Sequence, residues 1–381
     1  MSSPDLQQLA ASGAAALRSG DHRSARAAFE QVTAAGGNAH SWLMLAQCCA
    51  HLGDPQAEER ALDGALNVEP RNLIALLAKG ERVLSRGDER GAASFFTLAL
   101  QVAPAELPPA LRASVQRAAE KVAAVQDRFE DHLEQALADA GIDRAGRPQR
   151  FQEALDIAAG RKPIQIQQPT SFFYPGLPQT CFFDPAVFGW VAGLEAQTAA
   201  IRAELEGLLR DEAGFHPYVQ RDPARANREH ALLDDSRWSA FDLWRNGEPV
   251  EQNARRCPVT MAALDQVPLP RIIGRAPMAI FSMLRARTHI PPHWGMLNTR
   301  LICHLPLIVP PDCRLRVGNE ERMVEAGKMM IFDDSIQHEA WNDSDSTRVV
   351  LLFEIWRPEL DHAERAALTA MFQSIGSYGE G

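Results

Sequence analysis

The sequence has little cysteine, no long apolar run and no excess of basic residues. The 381 residues include 6 cysteines and no Cys-x-x-Cys pair, so we interpret them as buried or half-buried reduced thiols. No segment approaches the roughly 18 apolar residues of a membrane helix, and the first residues lack the pattern of a signal peptide. The formal net charge of −10 argues against general nucleic-acid binding. We therefore expect a cytoplasmic protein with no membrane insertion and no nucleic-acid partner.

About the first 125 residues repeat with a period near 34. Gly-Asp pairs begin at Gly20, Gly53 and Gly87, and an alanine-rich amphipathic segment follows each pair. Pro70 and Pro104 are separated by the same interval. Helix–turn–helix units of this length resemble the tetratricopeptide repeat. Because one unit cannot bury its apolar face alone, we expect about three stacked units and a capping helix.

The repeats have two interpretations. They form a concave groove that binds a peptide or a partner protein, or they are a plain helical bundle that only packs the domain or makes a dimer. We place a tetratricopeptide-like helical domain at residues 1–140, a connector at 141–165 and a second domain at 166–381. The connector contains a short predicted helix at 149–159.

The second domain turns from helical to β patterning along its length. A long amphipathic helix is predicted at 185–209, a loop-rich segment at 211–258 and a final helix at 361–372. Short apolar runs separated by Pro, Gly, Asn and Asp predict an antiparallel barrel or jelly roll. The predicted strands are 278–286, 300–308, 313–317, 328–332, 339–341 and 348–356.

His293, His338 and Arg348 form a pattern with a chemical use. An Fe(II) oxygenase that consumes 2-oxoglutarate usually binds iron through two histidines and one carboxylate, which leaves the opposite face open. An arginine deeper in the site binds the far carboxylate of 2-oxoglutarate through two hydrogen bonds. The carboxylate position, two residues after His293, is Gly295, so ligand counting alone leaves the metal site weakly supported.

The motifs around these residues resemble those of the aspartyl/asparaginyl β-hydroxylase family. They are His-Trp-Gly-x-x-Asn-x-Arg-Leu at 293–301, Ile-Phe-Asp-Asp-Ser at 331–335 and Trp-x-Pro-Glu-Leu at 356–360. The resemblance runs from about Phe173 to Leu360, roughly half of the chain. This family is known for two histidine ligands and a glycine where the carboxylate would stand.

The resemblance implies an α+β multidomain protein whose C-terminal domain is a double-stranded β-helix, or jelly roll, with flanking helices. It implies a dioxygenase that uses Fe(II), 2-oxoglutarate and O2. His293 and His338 would bind the metal. Ser282, His304 and Arg348 would bind 2-oxoglutarate, with Trp238 lining its pocket. Asp334 would hold a water on the metal, and Arg300 would act near the substrate.

The sequence departs from the family on the substrate side. Family members that hydroxylate proteins have an arginine at the place of Ile302 and a lysine at the place of Ile280. Without these cations, an aspartate side chain is a doubtful target. Three arginines, Arg221, Arg225 and Arg228, either form a solvated surface or compensate for the lost charges.

We therefore expect a 2-oxoglutarate-dependent dioxygenase that hydroxylates a C–H bond of a peptide or protein residue, with the repeats recruiting the substrate or a partner. Two alternatives stay open. One is a hydroxylase of a small molecule or lipid built on the same core. The other is a non-catalytic adaptor, which is disfavoured because the histidines, Ser282, Asp334 and Arg348 are all present.

Overall fold

The computed structural model describes residues 3–210, 214–221, 223 and 230–378. The chain divides into two compact units, Met1–Lys162 and Pro163–Gly381, called here the helical unit and the β unit. Among the described helices, none is both long and apolar enough to cross a membrane.

The helical unit consists of antiparallel helices joined by short turns, as the repeat predicts. A 3-10 turn, Arg144–Gly146, precedes its last helix. The α-helices are α1 (Ser3–Arg18), α2 (His22–Ala34), α3 (Ala39–His51), α4 (Pro55–Val68), α5 (Leu73–Ser85), α6 (Glu89–Val102), α7 (Pro109–Asp139) and α8 (Gln149–Ala158).

The Gly-Asp pairs form the turns inside the repeats. Gly20, Gly53 and Gly87 have φ values of 82°, 66° and 87°, a conformation that a side chain disfavours. The aspartate after each glycine is the N-cap of the next helix, because its carboxylate accepts a backbone N–H three residues on. Gly80 allows α5 and α6 to approach closely, because a Cβ there would overlap the Phe96 ring.

The β unit combines short helices with two antiparallel sheets. Its helices are a 3-10 turn (Pro185–Val187), α9 (Val191–Glu195), α10 (Thr198–Leu208), α11 (Glu251–Ala254), α12 (Pro258–Leu264) and α13 (His362–Ser377). Its strands are β1 (Phe182–Phe183), β2 (His216–Pro217), β3 (Trp238–Arg245), β4 (Glu248–Pro249), β5 (Ala279–Leu284), β6 (Thr288–His293), β7 (Arg300–Ile308), β8 (Cys313–Val317), β9 (Glu320–Met323), β10 (Met330–Phe332), β11 (His338–Asn342) and β12 (Arg348–Trp356).

The described strands form two open sheets and do not close into one barrel. The larger sheet has the order β1-β10-β7-β12-β5-β3-β2, with β4 paired to β3. The smaller sheet has the order β6-β11-β8-β9. All strand pairs are antiparallel, which confirms the predicted β class.

Strand alternation divides the large sheet between two cores. Odd-numbered residues of β5, β7 and β12 pack in a core that also contains residues of α9, α10 and α12. Even-numbered apolar residues of the same strands pack with residues of β6, β8 and β11, so this second core joins the two sheets. Because successive side chains point to opposite faces, the even-numbered residues of β5, β7 and β12 face the smaller sheet, except Ile308 and Trp356 at the strand ends.

Two predictions about the β unit are wrong in detail, and the strand β6 was not predicted. The helix expected at 185–209 is broken, because the chain is extended at Phe188 and the Trp190 ring packs 5.8 Å from that of Phe353. The segment 211–258 contains β3, whose residues are almost all buried, so it shows no polar–apolar alternation. β6 contains two prolines, which its position at the edge of the smaller sheet permits.

Candidate metal and co-substrate site

The two predicted metal-binding histidines lie side by side. His293 ends β6 and His338 begins β11, and the two residues are register partners in the smaller sheet. Their ring centroids are 4.1 Å apart. Two strands separated along the chain therefore supply one pair of imidazoles at the end of the sheet.

Hydrogen bonds orient both imidazoles. His293 Nδ1 donates to the Pro291 carbonyl oxygen at 2.8 Å, and His338 Nδ1 donates to the Ile336 carbonyl oxygen at 3.0 Å. With the proton on Nδ1, the Nε2 lone pair of each ring is free to bind a metal. Burial lowers the pKa of both histidines, which keeps the rings neutral.

The Asp334 carboxylate occupies the space that a side chain at position 295 would need. Gly295 N–H donates to the Asp334 backbone oxygen at 2.6 Å, and a Cβ on Gly295 would overlap the Asp334 carboxylate. Burial raises the pKa of Asp334 to about 6, and Asp334 Oδ1 has no hydrogen-bond partner within the described residues. In the same part of the chain, no three His, Cys, Asp or Glu side chains converge on one point. The histidine pair thus has a carboxylate nearby but no third side-chain ligand.

Arg348 is buried with unsatisfied donors. It begins β12 on the face shared with the smaller sheet and is 1% exposed. Its Nε and Nη1 atoms have no hydrogen-bond partner in the part of the chain that the structure describes. A guanidinium left in this state costs several kcal/mol, of the order that a buried charge without a partner costs. The position is suited to an anionic ligand.

The other predicted co-substrate residues surround the same space. Ser282 and His304 occupy even positions on β5 and β7, and Trp238 Nε1 donates to Ser282 Oγ at 3.2 Å. Burial, with Arg348 as a smaller contribution, lowers the pKa of His304 to about 3. His304 is therefore neutral and can donate or accept a hydrogen bond beside the Arg348 charge.

Glu354 is a site residue that the sequence reasoning missed. Arg300 Nη1 donates to Glu354, and Arg300 Nη2 donates to Asp334 at 3.2 Å. Glu354 also accepts the Met278 N–H at 3.0 Å and is 2% exposed. The period of two along β12 could have found it, because Arg348 and Glu354 occupy the same face.

Ile280 and Ile302 lie in the apolar core between the sheets, at the opposite end of the site from Arg348. Ile302 is the register partner of Glu354, and Ile280 is the register partner of Asp242. We call the end of the site that contains Ile280, Ile302 and Glu354 the Glu354 end, and the end that contains Arg348 the Arg348 end. The Glu354 end combines this apolar wall with buried carboxylates and the Arg300 guanidinium.

Aromatic residues from the segment predicted as loop add to the site. Tyr218 stacks on Trp238 with centroids 4.2 Å apart, and His230 lies 6.4 Å from His293, again between centroids. Arg221 pairs with Asp234 at 3.5 Å. Arg225 and Arg228 lie outside the described residues.

A buried ion pair supports the loop that carries Asp334. Asp333 Oδ2 accepts from Arg357 Nη1 at 2.6 Å and from Gln167 Nε2 at 2.7 Å, and both members of the Asp333–Arg357 pair are 0% exposed. Asp333 Oδ1 accepts from Ser335 at the backbone and the hydroxyl. The loop between β10 and β11 is thereby fixed on both sides of Asp334.

Part of the chain is similar in sequence to known hydroxylases. The chain matches the family model for aspartyl/asparaginyl beta-hydroxylase over residues 195–358. It is 34% identical over 229 residues to the ornithine lipid ester-linked acyl 2-hydroxylase of Rhizobium tropici, covering 59% of this chain and 76% of that protein. It is 36% identical over 165 residues to the human aspartyl/asparaginyl beta-hydroxylase, covering 43% of this chain and 22% of the human protein.

A structural similarity covers about a third of the chain. The Yersinia enterocolitica type III secretion chaperone SycD in complex with a peptide of the translocator YopD aligns with 34% of this chain and 97% of its own, at 18% identity and a TM-score of 0.31. A TM-score this low carries no information on function.

Proposed function

Because the chain belongs to the aspartyl/asparaginyl β-hydroxylase family, we propose that it is an Fe(II)- and 2-oxoglutarate-dependent dioxygenase that hydroxylates a C–H bond. One observation carries the proposal: a fully buried guanidinium, Arg348, has unsatisfied donors on the sheet face that packs against the smaller sheet, and the smaller sheet holds two neutral, oriented imidazoles. An anion with two oxygens satisfies that guanidinium, and 2-oxoglutarate has such a group at the end remote from its metal-chelating atoms.

The donor set fits Fe(II). His293 and His338 offer Nε2 atoms whose direction the Nδ1 hydrogen bonds fix. Asp334, with its free Oδ1, would hold a water where other such sites have a carboxylate ligand. When bound, iron and O2 convert substrate C–H to C–OH while 2-oxoglutarate is oxidised to succinate and CO2.

The chain's own residues would bind and orient 2-oxoglutarate and exclude water. Arg348 would anchor the far carboxylate of 2-oxoglutarate, with Ser282 and His304 as hydrogen-bonding neighbours and Trp238 holding Ser282 in place. The closely packed core between the sheets keeps bulk water from this end of the site.

We also propose the finer architecture that the sequence predicts. The two sheets would be the two faces of a double-stranded β-helix, whose shared core holds the metal site. The domain limits at 1–140, 141–165 and 166–381 remain a proposal as well, as does a cytoplasmic location.

The helical unit, as a set of tetratricopeptide-like repeats, would recruit a peptide or protein. On this proposal a full-length protein substrate has a lower KM than a short peptide carrying the same target residue. Equal KM values for the two would reject recruitment by the repeats.

A second candidate is hydroxylation of an apolar chain in a lipid or small molecule. It is favoured by Ile280 and Ile302, which line the Glu354 end where a protein hydroxylase needs cations. The name of the Rhizobium tropici relative shows that an acyl hydroxylase exists among proteins similar to this chain.

The proposal is tested by comparing wild type with Arg348→Met, His338→Ala and Arg314→Met. Arg314 is a matched control, because it lies on β8, is partly exposed and pairs with Asp343. At 2-oxoglutarate concentrations of about 100 Kd, wild-type protein with Fe(II) should gain about 2.7 kcal/mol of stability. It should also release succinate slowly without substrate.

Arg348→Met should weaken 2-oxoglutarate binding about 100-fold, because two hydrogen bonds to a charged, buried group are lost. His338→Ala should abolish succinate release, and Arg314→Met should behave as wild type. A wild type that neither releases succinate nor gains stability with Fe(II) and 2-oxoglutarate would reject the enzyme and favour the adaptor.

A further inference from the structure

Arg275 is held in a fixed position before β5. Its N–H and that of Ala276 both donate to the Ile272 carbonyl oxygen, at 3.0 and 2.9 Å. Its guanidinium carbon lies 4.2 Å from the ring centroid of Phe372 in α13. The turn and the ring together restrict the side chain, so little conformational entropy is lost when the guanidinium binds a ligand.

The turn adjoins the Glu354 end of the site. Met278, three residues after Arg275, donates its N–H to Glu354, the carboxylate that pairs with Arg300. The electrostatics agree with this placement. Burial and Arg300 lower the pKa of Arg275, whereas Glu354 raises it. The Arg275 charge therefore interacts with the Arg300–Glu354 pair.

The two arginines at this end differ in how their charge is compensated. Both Nη atoms of Arg300 donate to carboxylates, Glu354 and Asp334. The Arg275 guanidinium makes no hydrogen bond or ion pair with any residue that the structure describes. Arg275 is thus a restrained positive charge free to bind an anion, while the charge of Arg300 is already offset.

We propose that Arg275 binds an oxyanion of the substrate, a carboxylate or a phosphate, while an apolar part of the substrate lies against Ile280 and Ile302. This inference rests on the proposed function. The buried wall has no cation at positions 280 and 302, so the anion would bind at the turn and the carbon chain would extend past the wall toward the histidines. The substrate class is an anionic amphiphile.

The test uses full-length protein and three probes with one carbon chain: dodecanoate, monododecyl phosphate and dodecyltrimethylammonium. Binding is measured by calorimetry for wild type, Arg275→Met, Arg275→Lys and Arg271→Met. Arg271 is the matched control, because its guanidinium also stacks on an aromatic ring, 4.4 Å from the Trp244 centroid, but it has Asp265 as an ionic partner. Methionine keeps the apolar stem and removes the charge.

We expect Arg275→Met to weaken binding of at least one anionic probe about tenfold, the effect of losing a charged hydrogen bond. Arg275→Lys should lose less, and Arg271→Met should match wild type. Dependence on Arg275 for dodecanoate alone or for monododecyl phosphate alone identifies the oxyanion. The cationic probe should not bind more weakly to Arg275→Met than to wild type.

Equal anion binding by wild type and Arg275→Met would overturn the inference. So would a wild type that does not prefer the anionic probes to dodecyltrimethylammonium, including one that binds none of them. Stabilisation by Fe(II) and 2-oxoglutarate is measured on the same samples. Its absence in wild type rejects the proposed function, whereas its presence with Arg275-independent binding rejects only the anion site.

Discussion

The helical unit and the β unit are stabilised over very different distances in sequence. In the helical unit, each repeat closes through contacts a few residues apart, such as Asp54 with the N–H of Ala57. In the β unit, Asp333 is bound by Gln167, 166 residues away, and Glu354 by Met278, 76 residues away. These local contacts define each repeat, and its apolar face packs against the neighbouring repeats. The β unit instead depends on a few long-range polar contacts, and its site is built on them.

The largest expected effect comes from breaking the Asp333–Arg357 pair. Arg357→Met leaves a carboxylate buried without its ionic partner, which costs about 3–5 kcal/mol. The β unit should unfold at lower denaturant than in wild type, while the helical unit is unchanged. Fluorescence of the β-unit tryptophans and far-UV circular dichroism of the helices distinguish the two transitions.

The double variant Asp333→Asn/Arg357→Met is the control. It removes both charges, so it should regain part of the stability lost in the single variant. A single variant as stable as wild type would show that the long-range pair does not hold the β unit together.

Acid should destabilise the β unit. His304 has a pKa of about 3 instead of 6.5, so between these values the unfolded chain binds a proton that the folded chain does not. Stability is therefore lost as pH falls through about 6.5, by up to roughly 1.4 kcal/mol per pH unit, and His338 acts in the same direction. Asp334 acts in the opposite sense, since its raised pKa favours the folded state as pH falls toward 4.

The measurement is the unfolding free energy of metal-free protein between about pH 5 and 7. His304→Asn should reduce the slope of that plot. An unchanged slope in the variant would mean that His304 does not carry the acid sensitivity.

A smaller effect is expected in the helical unit from Gly80→Ala. The new methyl group overlaps the Phe96 ring, and overpacking of this kind costs about 1–3 kcal/mol. Gly207→Ala in α10 meets no atom within 4 Å, so it should stabilise by up to about 1 kcal/mol through helix propensity. Thermal unfolding of both variants checks the pair, and equal shifts in Tm would contradict the close approach of α5 and α6.

Much of the fold followed from sequence because its patterns are local. The period near 34 located the repeat helices, and apolar runs between turn residues located β7, β8 and β12 at their observed limits. β3 was not predicted because it is buried on both faces and lacks alternation. β6 was not predicted because it contains prolines, which are compatible only with an edge strand. Tertiary packing of Trp190 broke the predicted long helix, which no local pattern indicates.

The predicted site residues divide in the same way. His293, His338 and Arg348 were found from spacing and family motifs. The structure pairs the two histidines across β6 and β11 and places Arg348, buried, at the start of β12. Glu354 and Arg275 were missed because their importance depends on residues distant in the sequence. These are Met278 and Arg300 for Glu354, and Phe372 for Arg275. Arg300 was expected near the substrate, and the structure adds that two carboxylates already offset its charge.

The overlap between position 295 and the Asp334 carboxylate restricts how this site can evolve. A third side-chain ligand at 295 and the present Asp334 conformation cannot coexist, because they occupy the same space. A lineage that regains a ligand at 295 must first displace or shorten Asp334, and the intermediate sequence has neither arrangement intact. Converting the two-histidine site into a three-ligand site therefore requires two coupled substitutions. This requirement helps to preserve the two-histidine site, in addition to any chemical advantage that the site has.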